Sequence, residues 1–314
     1  MINRRLIRIK AFKVLFSKIN SGNDSVQAAE KELIHSCEKS LDLYYLLMAL
    51  PYELKLIAEQ KIETGFQKFH PTEEELYPNK KFVNNRLFKK IENDPSILKY
   101  CQRRGLNWKE QNSFAKKMYV DFSSKDYFIS YMNSTESSFS EDLALITTFF
   151  REELEDSEDL YTILEDMSVY WVDDLSYILN IIIKKLSSLE EDTEIKHPDV
   201  FFKKDDEEYA LKLLDSSIAN YEEYSALMSN YVKNWDPERL ATTDIALIVM
   251  GIAEAVTFPN IPLKVTINEF VELSKYYSTP NSKLFVNGML DRILLYLSEE
   301  GKIEKSGRGL VGSS

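Results

Sequence analysis

Six basic side chains and no acid fall within the first twenty residues: Arg4, Arg5, Arg8, Lys10, Lys13 and Lys18. Their chemistry is contact with an anion. The rest of the chain is acidic, with 51 Asp and Glu against 39 Lys and Arg and a formal net charge of −12. That balance excludes a protein that coats nucleic acid with its whole surface, but it leaves room for a local RNA site. Groups suited to catalysis are scarce. The two cysteines, Cys37 and Cys101, and the three histidines, His35, His70 and His197, are scattered, with no CxxC or HxxxH spacing. A structural zinc site needs about four such ligands, so no metal is expected, and no disulfide framework either. A phosphate-binding P-loop, GxGxxG, GxSxG, HExxH and an EF-hand loop are all missing. Paired carboxylates are abundant, but on helices they read as solvated charge. The expectation is a protein without catalytic activity, cofactor or metal.

The elements that must position the basic residues are helices. Only 9 Gly and 9 Pro occur in 314 residues, too few for the turns of a β-sandwich or the Gly-rich loops of a doubly wound α/β fold. An all-α fold follows. Ile9, Phe12, Phe16 and Ile19 share one face of a first helix, with Lys10, Lys13 and Ser17 opposite. Arg4 and Arg5 belong to an arm before that helix or to its first turn. Residues 25–68 read as two helices meeting near Pro51, and residues 70–140 as short pieces. Twelve acids against Arg151 alone mark Glu141–Asp174, which argues that RNA does not bind there. A faint echo of that stretch, with Trp171 and Asp173 answering to Trp235 and Asp236, follows from Glu207. Asp236-Pro237 is a candidate helix start. Thr266-x-x-Glu269 reads as a capping box. Phe285, Met289, Ile293 and Leu297 recur along a last helix, in which Gly288 would permit close helix packing. From Gly301 the tail is polar and Gly/Ser-rich, and disorder is expected. The apolar run Ile245–Val256 is interrupted by Glu254 and falls short of the roughly 20 residues that span a bilayer. The N-terminus lacks the apolar run of a signal peptide. A cytoplasmic protein with reduced cysteines is expected.

The stretch Ile261–Leu294, IPLKVTINEFVELSKYYSTPNSKLFVNGMLDRIL, resembles the NusB family of transcription antitermination factors. The resemblance rests on Ile261-Pro262, Lys264-Val265, Ile267-Asn268-Glu269, Val271-Glu272-Leu273, Lys275, Phe285-Val286-Asn287-Gly288 and Leu290-Asp291. The opening RRLIRIKAFKVLF from Arg4 matches the start of the family pattern at Arg4, Arg5, Arg8, Ala11 and Leu15. Ile7, Ile9 and Leu284 depart from it: a small, an acidic and a basic residue are common at those places. The resemblance implies a NusB-like helical core from residues 1–20 and 205–300, a helical insertion over 21–204 packed on it, and a disordered tail at 301–314. It further implies binding of boxA-type single-stranded RNA in nascent ribosomal RNA transcripts, together with ribosomal protein S10 (NusE), in an antitermination complex on RNA polymerase, with no membrane partner. Carried over by motif, the RNA-binding residues are Arg4, Arg5, Arg8, Lys10, Lys13, Asn281, Lys283 and Phe285, and the protein partner meets Asp244 and Glu254.

Several readings stay open on the sequence alone. Phe285 lies on the same stripe as Met289 and Ile293, so it is core in one reading and a base-stacking platform in the other. Arg8 serves in one reading to cover the apolar helix with its stem. A helical protein–protein adaptor without RNA binding is the rival function, a homodimer is left open, and an enzyme is the weakest reading.

Overall fold

In the computed structural model, residues 1–21, 25–231 and 241–310 are described, and all their regular structure is helical apart from a single parallel bridge between Ile2 and Phe201. The helices are α1 (Arg4–Ser21), α2 (Val26–Phe66), α3 (Glu73–Leu76), α4 (Arg86–Glu92), α5 (Pro95–Arg104), α6 (Asn112–Ser123), α7 (Asp126–Asn133), α8 (Phe139–Glu152), α9 (Glu158–Met167), α10 (Leu175–Ser187), α11 (Asp206–Ala219), α12 (Tyr221–Tyr231), α13 (Thr242–Thr257), α14 (Leu263–Tyr277) and α15 (Ser282–Glu299). They form two compact units. A terminal unit combines Ile2–Cys37 with Phe201–Ser314; a central unit holds Met1 and Glu38–Val200.

The central unit is built around aromatic rings. Phe82, Phe88, Phe122, Phe128 and Phe149 stand with neighbouring centroids 4.8–5.8 Å apart, a spacing typical of favourable edge and tilted contacts. A fully buried carboxylate, Asp42, accepts from Tyr100 Oη at 2.8 Å and from Arg104 Nε at 2.8 Å, so its charge is paired rather than stranded. Residues 26–66, expected as two helices, run as one through Pro51. A proline inside a helix removes a hydrogen bond. Here Leu47, Leu50 and Leu54 are fully buried on either side of it, and their packing carries the helix across.

In the terminal unit the sequence dictates the arrangement more directly. α13 is buried from Ala246 to Ala255 on every face, as expected of a helix apolar all round. α1 and α11 pack on it and on each other, as do α14 and α15. Gly251 lies at this junction: a Cβ there would come within 2.7 Å of Leu290 Cδ2 and would force that side chain to move, while Phe270 Cδ2 at 3.4 Å would be in ordinary contact. Gly288, expected to serve close packing, faces open space instead: nothing lies within 4 Å of the place a Cβ would take.

Two further expectations are corrected. α14 begins at Leu263 behind Pro262, with no side-chain cap, because the Thr266 hydroxyl is spent on Glu254 and cannot close a capping box with Glu269. The tail from Gly301, expected to be disordered, is placed as far as Leu310. Ile303 is buried, and Lys305 Nζ donates to Ala255 O at 2.8 Å and Phe258 O at 3.0 Å, occupying carbonyls at the end of α13. Burial there pulls the Lys305 pKa down to about 8, with nearby Glu254 opposing the shift. Residues 311–314, Trp235, Asp236 and Pro237 lie outside the described residues.

The two glycines give opposite predictions for one substitution. Gly288→Ala should raise stability by about 0.5–1 kcal/mol through helix propensity alone. Gly251→Ala should lower it by about 1–3 kcal/mol through overpacking against the Leu290 methyl groups, despite the same gain in propensity. Chemical denaturation of the two variants, read by circular dichroism, checks both signs.

Candidate nucleic-acid interface

α1 turns its basic residues in different directions, and their surroundings differ sharply. Arg4, 31% exposed, reaches α11: Nη2 lies 2.9 Å from Asp205 Oδ2, Nε lies 3.1 Å from Asp206 Oδ1, and the guanidinium sits 4.6 Å from the centre of the Tyr209 ring. Arg5, 49% exposed, leans on α14, with Nε 3.8 Å from Glu269 Oε2 and Nη2 3.8 Å from Glu272 Oε2. These contacts are beyond hydrogen-bonding distance, and half-exposed pairs of this kind contribute little stability. Lys13 places its ammonium 5.8 Å from the centre of the Tyr277 ring, and Phe12 packs on the same ring at 5.3 Å.

Arg8 and Lys10 are buried, each 4% exposed. Arg8 Nε donates to Glu254 Oε2 at 2.6 Å, and its Nη1 lies 3.5 Å from Glu269 Oε2. The same Glu254 oxygen accepts from Tyr209 Oη, and Thr266 Oγ1 donates to the other at 2.7 Å. Burial works to lower the Arg8 pKa, but Glu254, Tyr209 and Glu269 outweigh it and hold the guanidinium charged. Tyr209 is driven well above the ordinary tyrosine value by its burial and by the Glu254 carboxylate. Here the structure corrects the residue-level expectations. Arg8 and Lys10 cannot offer phosphate contacts from the interior. Glu254 is fully buried and its oxygens are occupied within the chain, so it does not face a partner. Asp244 is also buried, 6% exposed, and accepts from Ser282 Oγ at 2.8 Å, which ties the first turn of α13 to that of α15.

At the start of α15, Asn281 and Lys283 are exposed, Leu284 is 73% exposed, and Phe285 is half-buried. Asn281 takes the cap position without a side-chain hydrogen bond to the helix. The groups that sequence reasoning missed are Tyr209, Thr266 and the acids Asp205, Asp206, Glu269 and Glu272. The acids and Tyr209 carry no local signal for these roles, because their partners come from helices distant in sequence, while Thr266 meets Glu254 of the preceding helix.

Among the described residues no group of three or more His, Cys, Asp or Glu could hold a metal ion, and no helix is long and apolar enough to cross a membrane. Burial, with Asp42 nearby, pushes the Cys101 thiol up to about 11, so it is not a thiolate nucleophile at neutral pH. In the central unit His197 bridges Asp94 (2.7 Å from Nε2) and Tyr44 Oη (3.2 Å from Nδ1). Burial holds that tyrosine protonated, and the trio fastens the irregular segment after α10 to α5 and α2.

An all-helical protein with a mixed cationic and aromatic edge on one unit is the class defined so far. The NusB family model matches residues 184–295. Relatives named transcription antitermination protein NusB share 38% identity over 105 residues in Salinibacter ruber, covering 33% of this chain and 66% of that protein. In Chloroherpeton thalassium the figures are 38% over 104 residues, 33% and 49%. In Dictyoglomus turgidum they are 37% over 97 residues, 31% and 67%. The chain belongs to the NusB family. It spans less than two thirds of the first two of these relatives, and no solved structure matches it.

The ion pair at the centre of the terminal unit is open to a direct test. Arg8→Met leaves Glu254 buried without its counter-charge and should cost about 3–5 kcal/mol of stability at neutral pH. Arg8→Met combined with Glu254→Gln removes the stranded charge and should recover part of that loss. Thermal unfolding of the parent and the two variants measures the difference. A double variant no more stable than Arg8→Met would mean that Arg8 acts through packing alone.

Proposed function

We propose that this protein is a non-catalytic transcription antitermination factor whose terminal unit binds single-stranded boxA-type RNA of nascent ribosomal RNA transcripts, together with ribosomal protein S10 (NusE), on RNA polymerase. Membership of the NusB family supports the reading at the level of transcription antitermination. The observation that carries the RNA part is the exposed cation Arg5 beside α14, in a chain where the neighbouring Arg8 and Lys10 are consumed in the interior. A cation held loosely by two half-exposed carboxylates can exchange them for phosphate. Arg4 is bound more tightly by its two aspartates and makes a secondary contact, while Lys13, Asn281, Lys283 and Phe285 extend the surface. RNA contact belongs to the terminal unit. The exposed face around α9, with Glu155, Asp156, Glu158, Asp159, Glu165 and Asp166, repels phosphate.

A second reading, a protein–protein adaptor, draws on that same face. Val169 is 69% exposed amid these acids, which suits a basic partner with an apolar spot.

The experiment is fluorescence anisotropy of a labelled boxA-type RNA over a range of salt, with and without S10. Removing residues 1–8 is unsuitable, because Ile2, Ile7 and Arg8 are part of the core. Arg5→Ala should instead weaken binding and flatten the log–log salt slope by about 0.7, the value of one phosphate neutralised on a single strand. Thermal stability should stay within about 0.5 kcal/mol of the parent, as for other exposed positions. A parent protein without salt-sensitive RNA binding would leave the adaptor reading standing alone.

A further inference from the structure

We propose that Tyr276 is a base-stacking platform, the place where a nucleotide next to the phosphate on Arg5 lays down its base. The inference rests on the RNA-binding function proposed for the terminal unit and assigns a role to a residue that lies outside the candidates taken from the family pattern. Tyr276 is 79% exposed, which is unusual for a ring of its size beside a packed helix pair. Its position follows from the periodicity of α14. Ile267, Phe270, Leu273 and Ser274 make up the buried face. Tyr277 turns toward α1, where it meets Phe12 and Lys13. The outer stripe is then Val265, Glu269, Glu272 and Tyr276, at spacings of three and four. Glu272 and Tyr276 are thus neighbours one turn apart, their Cβ atoms roughly 5–6 Å from each other.

That stripe is the one on which Arg5 rests, through Glu269 and Glu272. Lys275 pairs with Glu272 on the same turn, so the two acids beneath the guanidinium are neutralised by Arg5, Arg8 and Lys275. The ring therefore stands one helical turn from the exposed cation, beside acids whose charge is compensated. Beyond it, across the Ser278–Asn281 turn, come exposed Lys283 and Leu284. A strand with a phosphate at Arg5 meets an aromatic face next and a second cation after it, the alternation by which single strands are held without reading their sequence. Phe285, the aromatic named by the family pattern, is half-buried and offers less open ring face. The stacking partner is an RNA base rather than an apolar protein side chain, because the cations Arg5 and Lys283 stand before and after the ring along this surface, and the exposed Leu284 is set beside Lys283 rather than in an apolar patch of its own.

Titration of the labelled boxA-type RNA with the full-length parent, Arg5→Ala, Tyr276→Ala and Tyr276→Phe tests this. Tyr276→Ala should lose between about five- and one-hundred-fold in affinity, the range for one base–aromatic stack. Its salt slope and melting temperature should be unchanged. Tyr276→Phe should bind as the parent does, since the π face survives. In Tyr276→Trp, the added indole emission should be quenched on RNA addition. Tyr276→Ala binding like the parent, while Arg5→Ala binds more weakly, would overturn the stacking role alone. A parent that binds no RNA would overturn both this role and the reading beneath it.

Discussion

A single buried carboxylate organises the terminal unit. Glu254, fully buried near the end of α13, receives Arg8 from α1, Tyr209 from α11 and Thr266 from α14. A lone carboxylate moved from water into such an interior would carry a prohibitive desolvation penalty, and the group would take up a proton instead. Here the guanidinium is adjacent and two hydroxyls complete its coordination, so both oxygens are paired. Each of those donors is correctly placed only when its helix is docked, so the carboxylate fixes the positions of three helices against a fourth. Apolar packing around α13 supplies the stability, whereas the polar network favours one arrangement of that packing over its near-equivalents. Buried ion pairs often add little net stability over an apolar replacement.

This constraint reorders the basic N-terminal segment. Six cations in twenty residues suggest a uniform arm for nucleic acid, but a helix distributes its residues around an axis. The residues one turn apart on its inner side, Arg8 and its neighbours, face α11 and α13, and their charges become structural. The side turned toward the edge of α14 keeps a cation half in water, at Arg5. A count of charges in sequence therefore overstates the surface charge. The cost of burying Arg8 is met by Glu254, whereas the two acids nearest Arg5 stand too far off to hydrogen-bond it and leave it exposed.

What is legible in the sequence is local. Scarce glycine and proline, the apolar periodicity of α13 and α15, and the motif around Phe285-Val286-Asn287-Gly288 lead to an all-helical protein and to its family, whereas in α1 the buried side holds Leu6, Ile7, Ala11, Val14 and Leu15 rather than Ile9, Phe16 and Ile19. Features decided by partners far along the chain are not legible. Pro51 looks like a break because its effect on the backbone is local, while the packing that overrides it is tertiary. Thr266 and Glu269 have the spacing of a capping box, but the hydroxyl has a stronger acceptor in Glu254. Glu254 interrupts an apolar run and reads as a partner-facing acid, whereas α13 is enclosed by other helices and takes the carboxylate into the interior with it. The tail from Gly301 has a disordered composition, yet Lys305 finds unpaired carbonyls at the end of α13.

The terminal unit is discontinuous in the chain, and its central network helps to explain why that is tolerable. α1 must find α11 and α13 across the whole of the central unit's sequence. The entropy of closing such a loop rises only logarithmically, about 0.6 kcal/mol for each doubling of its length, and a segment folded into its own compact unit shortens the effective loop further. The thermodynamic cost of the interruption is thus modest. The sharper problem is specificity, since α1 arrives without a short connection to set its register along α13. A slip of one turn that puts Phe12 in the place of Arg8 would keep an apolar stripe against an apolar helix but strand the Glu254 charge in the core, and the opposite slip, which offers Arg4 to Glu254, would pull Arg4 away from Asp205 and Asp206. The parallel bridge between Ile2 and Phe201, with Phe202 N donating to Ile2 O at 3.0 Å, fixes the same register just ahead of α1. With the register held at both places, Arg5 is carried to its position over Glu269 and Glu272. The external cation is therefore placed by the internal one, and the basic N-terminal segment supplies a core ion pair and a surface charge from nearby residues of a single helix.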